Sequence, residues 1–359
     1  MKVRSSNFEL LRIIAMLMIV LHHLMVHGVF KGFDTTEVSG NQALALIFAA
    51  GGKVGVGLFI MITGYFLANK LKTNIPALVS LWLQVFFYSV VIFLLLSNLK
   101  MIDAADPVIA ISNVFPLIFN KYWFFTDYFL IMIIAPVINA GFSNFKKKEV
   151  DKIMGVLLFL WFVVPTISPL LFNRVLSVSS NDLLILIMFY LFGYYIRRYN
   201  PAVLNKQRNN IILIGAGIVM TSGLELYFEC LGHLLKDTSV YTLSFQYYKL
   251  NSFSVFLIVV GLFGLFKNFR IGEVKWINTV ASATFGVYLI HDNSYIRSLL
   301  WRDWVGSTDY LAFGIFGFIV ASAITVVVVF VLSTVIELIR KNTIERFTNY
   351  LLKKSFEKN

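Results

Sequence analysis

The sequence predicts an all-α membrane protein, a bundle of about ten transmembrane helices with both termini in the cytoplasm. Three observations favour this class. Of the 359 residues, 58% are hydrophobic and only 14% are charged, well below the roughly 25% of charged residues in soluble domains. Apolar runs long enough to cross ~30 Å of hydrocarbon recur along the whole chain. Basic residues lie in short blocks between these runs, a pattern that sets membrane topology.

Ten apolar segments account for most of the chain, and we expect one membrane-spanning helix in each. They cover residues 9–29, 45–68, 77–97, 122–142, 153–172, 182–197, 211–228, 251–267, 277–293 and 311–337. The sixth and ninth are short, and the glycine-rich stretch GGKVGVG interrupts the second. With the gaps assigned alternately to two sides, 22 of the 31 Lys and Arg fall on the side of the N-terminus. The positive-inside rule therefore predicts that both termini are cytoplasmic.

Composition also narrows the possible partners and sites. The net charge of +12 is explained by topology, so we expect no nucleic-acid partner. The single cysteine, Cys230, excludes an internal disulfide and a cysteine-based metal cluster. Because no soluble domain fits between the spans, we expect one multi-pass domain over residues 1–359 in the cell membrane. Its end, about 338–359, is predicted to be an amphipathic cytoplasmic extension.

The first span carries ionisable residues that need a partner or a function. An ionisable group inside a spanning helix costs roughly 3 kcal/mol or more. Arg12 and His23 are eleven residues apart, which puts them nearly on one helix face and ~16 Å apart along the axis, whereas His22 points about 100° away. The alternative is structural: Arg12 extends to the interface and the histidines make helix contacts.

A metal site on this helix is a weaker hypothesis. His27 returns to the face of His23, and two histidines at this spacing can hold a metal ion. However, the sequence has no carboxylate or further histidine close to them. We therefore expect no metal and no bound cofactor.

The first helix resembles that of a known family. The stretch ELLRIIAMLMIVLHH, residues 9–23, is similar to the first helix of the acyltransferase 3 family of integral membrane acyltransferases. In that family an arginine, ten intervening residues and a histidine mark this helix. Arg12 and His23 match the pattern, and His22 does not.

Three later stretches extend the resemblance over most of the chain. GVGLFIMITGYFL, residues 55–67, resembles the second-helix signature of the family, but it has Thr63 where Ser is usual and Gly57 where a polar residue is common. YWFFTDYFLIMIIAPVIN, residues 122–139, resembles the tryptophan-led fourth helix. ATFGVYLIHD, residues 283–292, resembles the late element that ends in histidine.

The resemblance implies an O-acyltransferase. Such an enzyme moves an acyl group, usually acetyl, from cytoplasmic acyl-CoA to a hydroxyl of an extracytoplasmic or lipid-linked glycan, such as a cell-envelope polysaccharide. Acetyl-CoA would then be the donor substrate, the glycan the acceptor and the bilayer the surroundings. The sequence carries no signal for an oligomeric state. Imidazole, with a pKa near ~6.5, suits the removal of a proton from a sugar hydroxyl, so we assign the catalytic role to His23 together with Arg12.

On the donor side we expect Arg12 at the cytoplasmic edge, where its guanidinium can bind the phosphates of CoA. Lys70 and Lys72 lie in a gap assigned to the same side. Thr63 and Tyr65, in the ITGYF stretch, complete the donor-side set. Thr63 could line a channel for the acyl group, but ordinary helix packing explains it as well and is the favoured interpretation.

On the acceptor side we expect Trp123, Asp127 and His291. Asp127 could orient a histidine, or it could reach the interface or pair with Lys121. His291 ends the ninth span, where it could meet the acceptor or be an ordinary interfacial residue.

Two other functional classes stay open. A transporter or flippase for polysaccharide intermediates could use the same polar residues as a substrate path. The sequence shows no inverted repeat and no series of charged residues along mid-membrane helices, which disfavours it. A sensor or scaffold without catalysis is the third possibility. Hydrolysis of acyl-CoA by the purified protein would separate the enzyme from both.

Overall fold

The computed structural model describes residues 6–34, 39–102, 106–179 and 181–346, and in these residues it is helical and contains no strand. The all-α prediction is therefore confirmed. The principal helices are α1 (Ser6–His27), α2 (Gly40–Leu67), α3 (Ile75–Asn98), α4 (Pro107–Val114), α5 (Trp123–Ser143), α6 (Lys147–Phe172, with a π-helical turn inside it), α7 (Asp182–Tyr199), α8 (Gln207–Leu235), α9 (Phe253–Asn268), α10 (Lys275–Ala281), α11 (Thr284–His291) and α12 (Ile315–Arg340).

Seven helices of the described residues are long and apolar enough to cross a membrane, namely α1, α2, α3, α5, α6, α8 and α12. The chain is therefore an integral membrane protein. The other three predicted spans correspond to α7, to the shorter apolar helix α9, and to α10 and α11, which are separated by a break at Ser282 and Ala283. The count of ten spans and the cytoplasmic termini stay predictions.

The predicted amphipathic extension at about 338–359 lies only partly in the described residues. Helix α12 continues through a π-helical turn at Lys341–Glu345. Residues 347–359, most of the predicted amphipathic extension, lie outside the described residues.

Glycines allow α2 to pack closely against its neighbours. A Cβ atom on Gly55 would lie 2.5 Å from the carbonyl oxygen of Ala15 in α1, and one on Gly64 would lie 2.1 Å from that of Tyr190 in α7. Side chains at these positions would overlap the facing backbone, so only glycine permits the observed approach. The expectation that GGKVGVG interrupts the second span is wrong, because α2 is continuous through residues 51–57 and its glycines serve packing.

Helices α1, α2 and α10–α11 fix the two ends of the bundle. The ring of Phe8 in α1 contacts the ring of Tyr65 in α2, with ring centroids 5.4 Å apart, so α2 ends where α1 begins. Ser6 donates a hydrogen bond to Asn278 of α10 over 3.0 Å, and His23 lies beside His291 at the end of α11. Helices α10 and α11 therefore run alongside α1 in the same direction. We call the two ends the Arg12 end and the His23 end.

Candidate functional site

A cavity of about 210 Å³ lies between α1, α2, α5 and the α10–α11 segment. Helix α1 contributes Arg12, Met16, Ile19 and His23 to its wall. Their spacing of four, three and four residues defines a single helix face. Arg12 and His23 thus line one cavity, ~16 Å apart along the axis, as their spacing predicts. The other lining residues are Val56, Phe59, Thr63, Leu81, Trp123, Phe124, Tyr128, Ala281, Ser282, Thr284, Phe285 and Tyr288.

His23 is held by a second histidine at the wall of this cavity. Its Nδ1 lies 2.8 Å from Nε2 of His291, and Nδ1 of His291 lies 2.6 Å from the carbonyl oxygen of Val287. Because a carbonyl can only accept, Nδ1 of His291 carries a proton, and in a neutral ring Nε2 then accepts. His23 must therefore donate from Nδ1. Its Nε2 is left with a lone pair, the form that a general base requires.

A buried carboxylate stands beside the histidine pair. Oδ1 of Asp292 lies 3.7 Å from Nδ1 of His23 and 3.8 Å from Nε2 of His27. The same oxygen forms an ion pair with Nε of Arg297 over 2.9 Å. A negative charge at this position favours the protonated form of His23, whose formation accompanies proton abstraction.

The fold brings a third possible metal ligand to His23 and His27. The sequence shows no carboxylate close to His23 and His27, but the fold brings Asp292 to both, with the three candidate ligand atoms within 4.8 Å of one another. Two of these atoms have other partners, since His23 Nδ1 contacts His291 and Asp292 contacts Arg297. A guanidinium cation next to the carboxylate also opposes a metal ion. These residues fit an ion-paired base better than a metal centre.

His22 has a different environment from His23. Its Nδ1 lies 2.6 Å from the carbonyl oxygen of Ala49, so it donates a hydrogen bond across to α2. Its side chain packs against Gly52, where a Cβ atom would approach it to 2.2 Å. His22 does not line the cavity. Its contacts are those of a residue that joins two helices.

At the other end of the cavity, Arg12 pairs with Glu9 over 2.8 Å, one turn earlier on α1. Only one guanidinium nitrogen, Nη1, takes part, and 29% of the Arg12 side chain is exposed. The remaining donors can bind an anionic group of a ligand. Thr63 also lines the cavity, but its hydroxyl donates to the carbonyl oxygen of Phe59 over 2.9 Å.

The other donor-side candidates lie at the Arg12 end of the bundle without lining the cavity. The hydroxyl of Tyr65 accepts a hydrogen bond from Arg197 over 3.2 Å. Lys70 and Lys72 line a separate pocket of about 410 Å³ beyond the end of α2. The structure therefore groups Arg12 with Thr63 and leaves these three residues at the same end of the bundle.

Two of the acceptor-side candidates, Trp123 and His291, join the site, and Asp127 does not. Trp123 lines the cavity, and the ammonium group of Lys53 lies 4.9 Å from the centre of its ring. His291 is fully buried against His23. Asp127 does not line the cavity and neither contacts a histidine nor pairs with Lys121 in the described residues. Lys121 instead donates to the hydroxyl of Tyr295.

Sequence reasoning missed Asp292 and Arg297. Asp292 directly follows His291, and a carboxylate inside a predicted span was the available signal. Arg297 carries no such signal, because it lies in the gap between predicted spans at residues 294–310, where a basic residue is ordinary. Only the fold shows that these two residues form the ion pair beside His23.

One family of known proteins matches this chain over nearly its whole length. The sequence model of the acyltransferase 3 family, described as "Acyltransferase domain", matches residues 5–337, nearly the whole chain. The matched region includes both ends of the cavity. No curated protein and no solved structure matches the chain.

Proposed function

Because this chain belongs to the acyltransferase 3 family of membrane acyltransferases, we propose that it is an O-acyltransferase of the cell membrane. It moves an acyl group, most simply acetyl, from cytoplasmic acyl-CoA to a hydroxyl of an extracytoplasmic or lipid-linked glycan. The observation that carries this proposal is the single cavity lined by both Arg12 and His23. One cavity with a cation at one end and an imidazole at the other suits a donor that is phosphorylated at one end and reactive at the other.

In the proposed reaction, His23 is the general base. Its Nε2 takes the proton of the acceptor hydroxyl while the hydroxyl oxygen attacks the thioester carbonyl carbon. The carbon–sulfur bond then breaks, and the CoA sulfur leaves as a thiol with the proton returned by His23. The products are the ester and free CoA, so atoms and charges balance. The same lone pair would serve if the acyl group first passed to His23 as an acyl-imidazole.

His291 and Asp292 support this role of His23 without touching the substrates. The hydrogen bond to His291 keeps the proton of His23 on Nδ1, so that Nε2 stays a base. The carboxylate of Asp292, 3.7 Å from Nδ1, compensates the positive charge that appears on His23 in the transition state. Arg297 holds that carboxylate in place through its 2.9 Å ion pair.

Arg12 is the proposed anchor of the donor. Its Nη2 and Nε make no hydrogen bond to the described residues and can bind a phosphate of CoA in two contacts. The flexible arm of CoA would then run along the cavity wall, past Met16 and Ile19, with the thioester near His23. Lys70 and Lys72, in a separate pocket, would act by attracting the anionic donor to this end of the bundle.

The test uses purified protein in detergent micelles. We expect release of free CoA thiol from acetyl-CoA by the wild type and not by His23→Ala at equal folded yield. In cells, mass spectrometry of envelope glycans should detect an ester that depends on this protein. Absence of thiol release from a panel of acyl-CoA donors, together with unchanged glycans, would leave the transporter as the better account.

A further inference from the structure

A second, wider pocket of about 510 Å³ opens at the His23 end of the bundle. Among the described residues that line it, the charged ones are Lys121 and Arg297, and none is acidic. Trp123 lines both this pocket and the cavity that contains His23. The two spaces therefore adjoin through one indole. We call this second space the Lys121–Arg297 pocket.

Three cations lie over Trp123 or line the pocket that Trp123 also lines, and each is held in position. Lys53 lies over the indole ring at 4.9 Å from its centre. Lys121 donates to the hydroxyl of Tyr295 over 3.1 Å and lies 4.8 Å from the centre of that ring. Neither ammonium group has a carboxylate partner within ion-pair distance in the part of the chain that the structure describes. Both can therefore still bind an anion.

Arg297 is the third cation, and it links the pocket to the catalytic histidine. Its Nε pairs with Oδ1 of Asp292, and its Nη2 donates to the backbone carbonyl of the same residue over 3.1 Å. Its Nη1 makes no hydrogen bond to the described residues and remains available to a ligand. Because Asp292 also lies 3.7 Å from His23, an anion bound by Arg297 would sit close to the proposed base.

The charges around this pocket do not cancel. Asp292 is paired with Arg297, and the neighbouring pocket contains Asp182 together with the two cations Lys53 and Lys249. Of the two cations that line the pocket, Arg297 pairs with Asp292, and Lys121 has no ion-pair partner among the described residues. Taking cations into a partly buried pocket costs desolvation energy, which a bound anion would offset.

Resting on the proposed function, we propose that the Lys121–Arg297 pocket binds a phosphate or carboxylate group of the acyl acceptor. The acceptor would then be an acidic glycan, or a sugar attached to its lipid through phosphate. Binding of the anion beside Arg297 would position a neighbouring hydroxyl of the same sugar near Nε2 of His23. Phosphate and carboxylate share the oxyanion geometry that guanidinium and ammonium groups recognise.

The test measures binding of inorganic pyrophosphate to the full-length protein in phospholipid-free detergent micelles. We expect saturable binding to the wild type and a dissociation constant about tenfold higher for Lys121→Met, since a charge-assisted contact is lost. Methionine keeps the apolar stem against Tyr295. The matched control is Lys31→Met, an exposed lysine just beyond the end of α1, which should bind as the wild type does. Equal binding by Lys121→Met and the wild type would overturn the proposal.

Two further arms separate other sources of the same chemistry. Pyrophosphate also resembles the diphosphate of CoA, so binding lost in Arg12→Ala and kept in Lys121→Met would assign the probe to the donor site and overturn the proposal. Phosphatidylglycerol added to the micelles should not displace pyrophosphate, and displacement would make the pocket a lipid headgroup site. Thiol release from acetyl-CoA is measured on the same preparation. Its absence would count against the acyltransferase, while the pyrophosphate data would still decide whether the pocket binds anions.

Discussion

His291 determines which nitrogen of His23 carries a proton. The two rings meet through a 2.8 Å contact between Nδ1 of His23 and Nε2 of His291, and the second nitrogen of His291 is fixed by the carbonyl oxygen of Val287. The backbone of α11 thereby sets the tautomer of a side chain on α1. In the proposed mechanism, this arrangement leaves Nε2 of His23 free to act as the base before any substrate binds.

Replacement of His291 tests this positioning role. His291→Ala removes the acceptor for His23 Nδ1–H, so we expect a fall in kcat of at least about tenfold with little change in KM for acyl-CoA. His291→Gln should recover part of the loss, because its amide oxygen can accept the same hydrogen bond. The measurement is steady-state acyl transfer by the purified variants. Equal losses in the two variants would mean that His291 acts only through packing.

Arg12 is expected to govern donor affinity. Arg12→Ala should raise the dissociation constant for acyl-CoA by about 10- to 100-fold, the loss of a charge-assisted contact to phosphate. Arg12→Lys should cost less, because it keeps the charge and loses only the planar fork. Equilibrium binding of a non-hydrolysable acyl-CoA analogue at equal folded yield measures both. Unchanged affinity in Arg12→Ala would remove Arg12 from the donor site.

The close packing of α2 against α7 predicts a stability difference between two glycine substitutions. Gly64→Ala places a Cβ atom 2.1 Å from the carbonyl oxygen of Tyr190, and we expect a loss of about 3 kcal/mol in the free energy of unfolding. The matched control is Gly223→Ala in α8, where a Cβ atom meets nothing within 4 Å. The control should be neutral or stabilising by up to about 1 kcal/mol. Thermal unfolding in detergent compares the two, and similar midpoints would contradict the packing argument.

The side of the membrane on which each terminus and loop lies can be measured directly. Tags at either terminus and a probe in the loop at residues 145–149 should be cytoplasmic, because these segments belong to the Lys- and Arg-rich side. Probes at residues 100–110 and 234–240 should be accessible from outside. Accessibility of engineered cysteines to an impermeant reagent in intact cells reports each position. An external terminus would contradict both the count of ten spans and the donor-side assignment of Arg12.

The positions of residues along one helix face are predictable from this sequence, and the contacts between distant helices are not. Helical periodicity alone predicts that Arg12 and His23 share a face, and the cavity contains both. The contact between His23 and His291 joins residues 268 positions apart, and its formation depends on how α11 packs along α1. No periodic pattern encodes that distance.

The sequence also does not predict which residues near the cavity actually face it. Lys70 and Lys72 follow α2 closely in sequence, but the end of that helix directs them into another pocket. Asp127, one turn after Trp123, does not join it at the cavity wall. Assignments based on membrane depth give only an end of the bundle for such residues. They do not predict which side of a helix faces the site.

The central claim is that His23, and not its neighbour His22, is the base. Of these two histidines, only His23 lines the cavity that contains Arg12. His22 donates a hydrogen bond to the carbonyl oxygen of Ala49 in α2 instead. The most direct measurement is acyl transfer by His23→Ala and His22→Ala at matched amounts of folded protein. We expect His23→Ala to lose about 10²- to 10⁴-fold in rate, the usual contribution of a general base, and His22→Ala to keep most of its activity. An inactive His22→Ala beside an active His23→Ala would contradict the account.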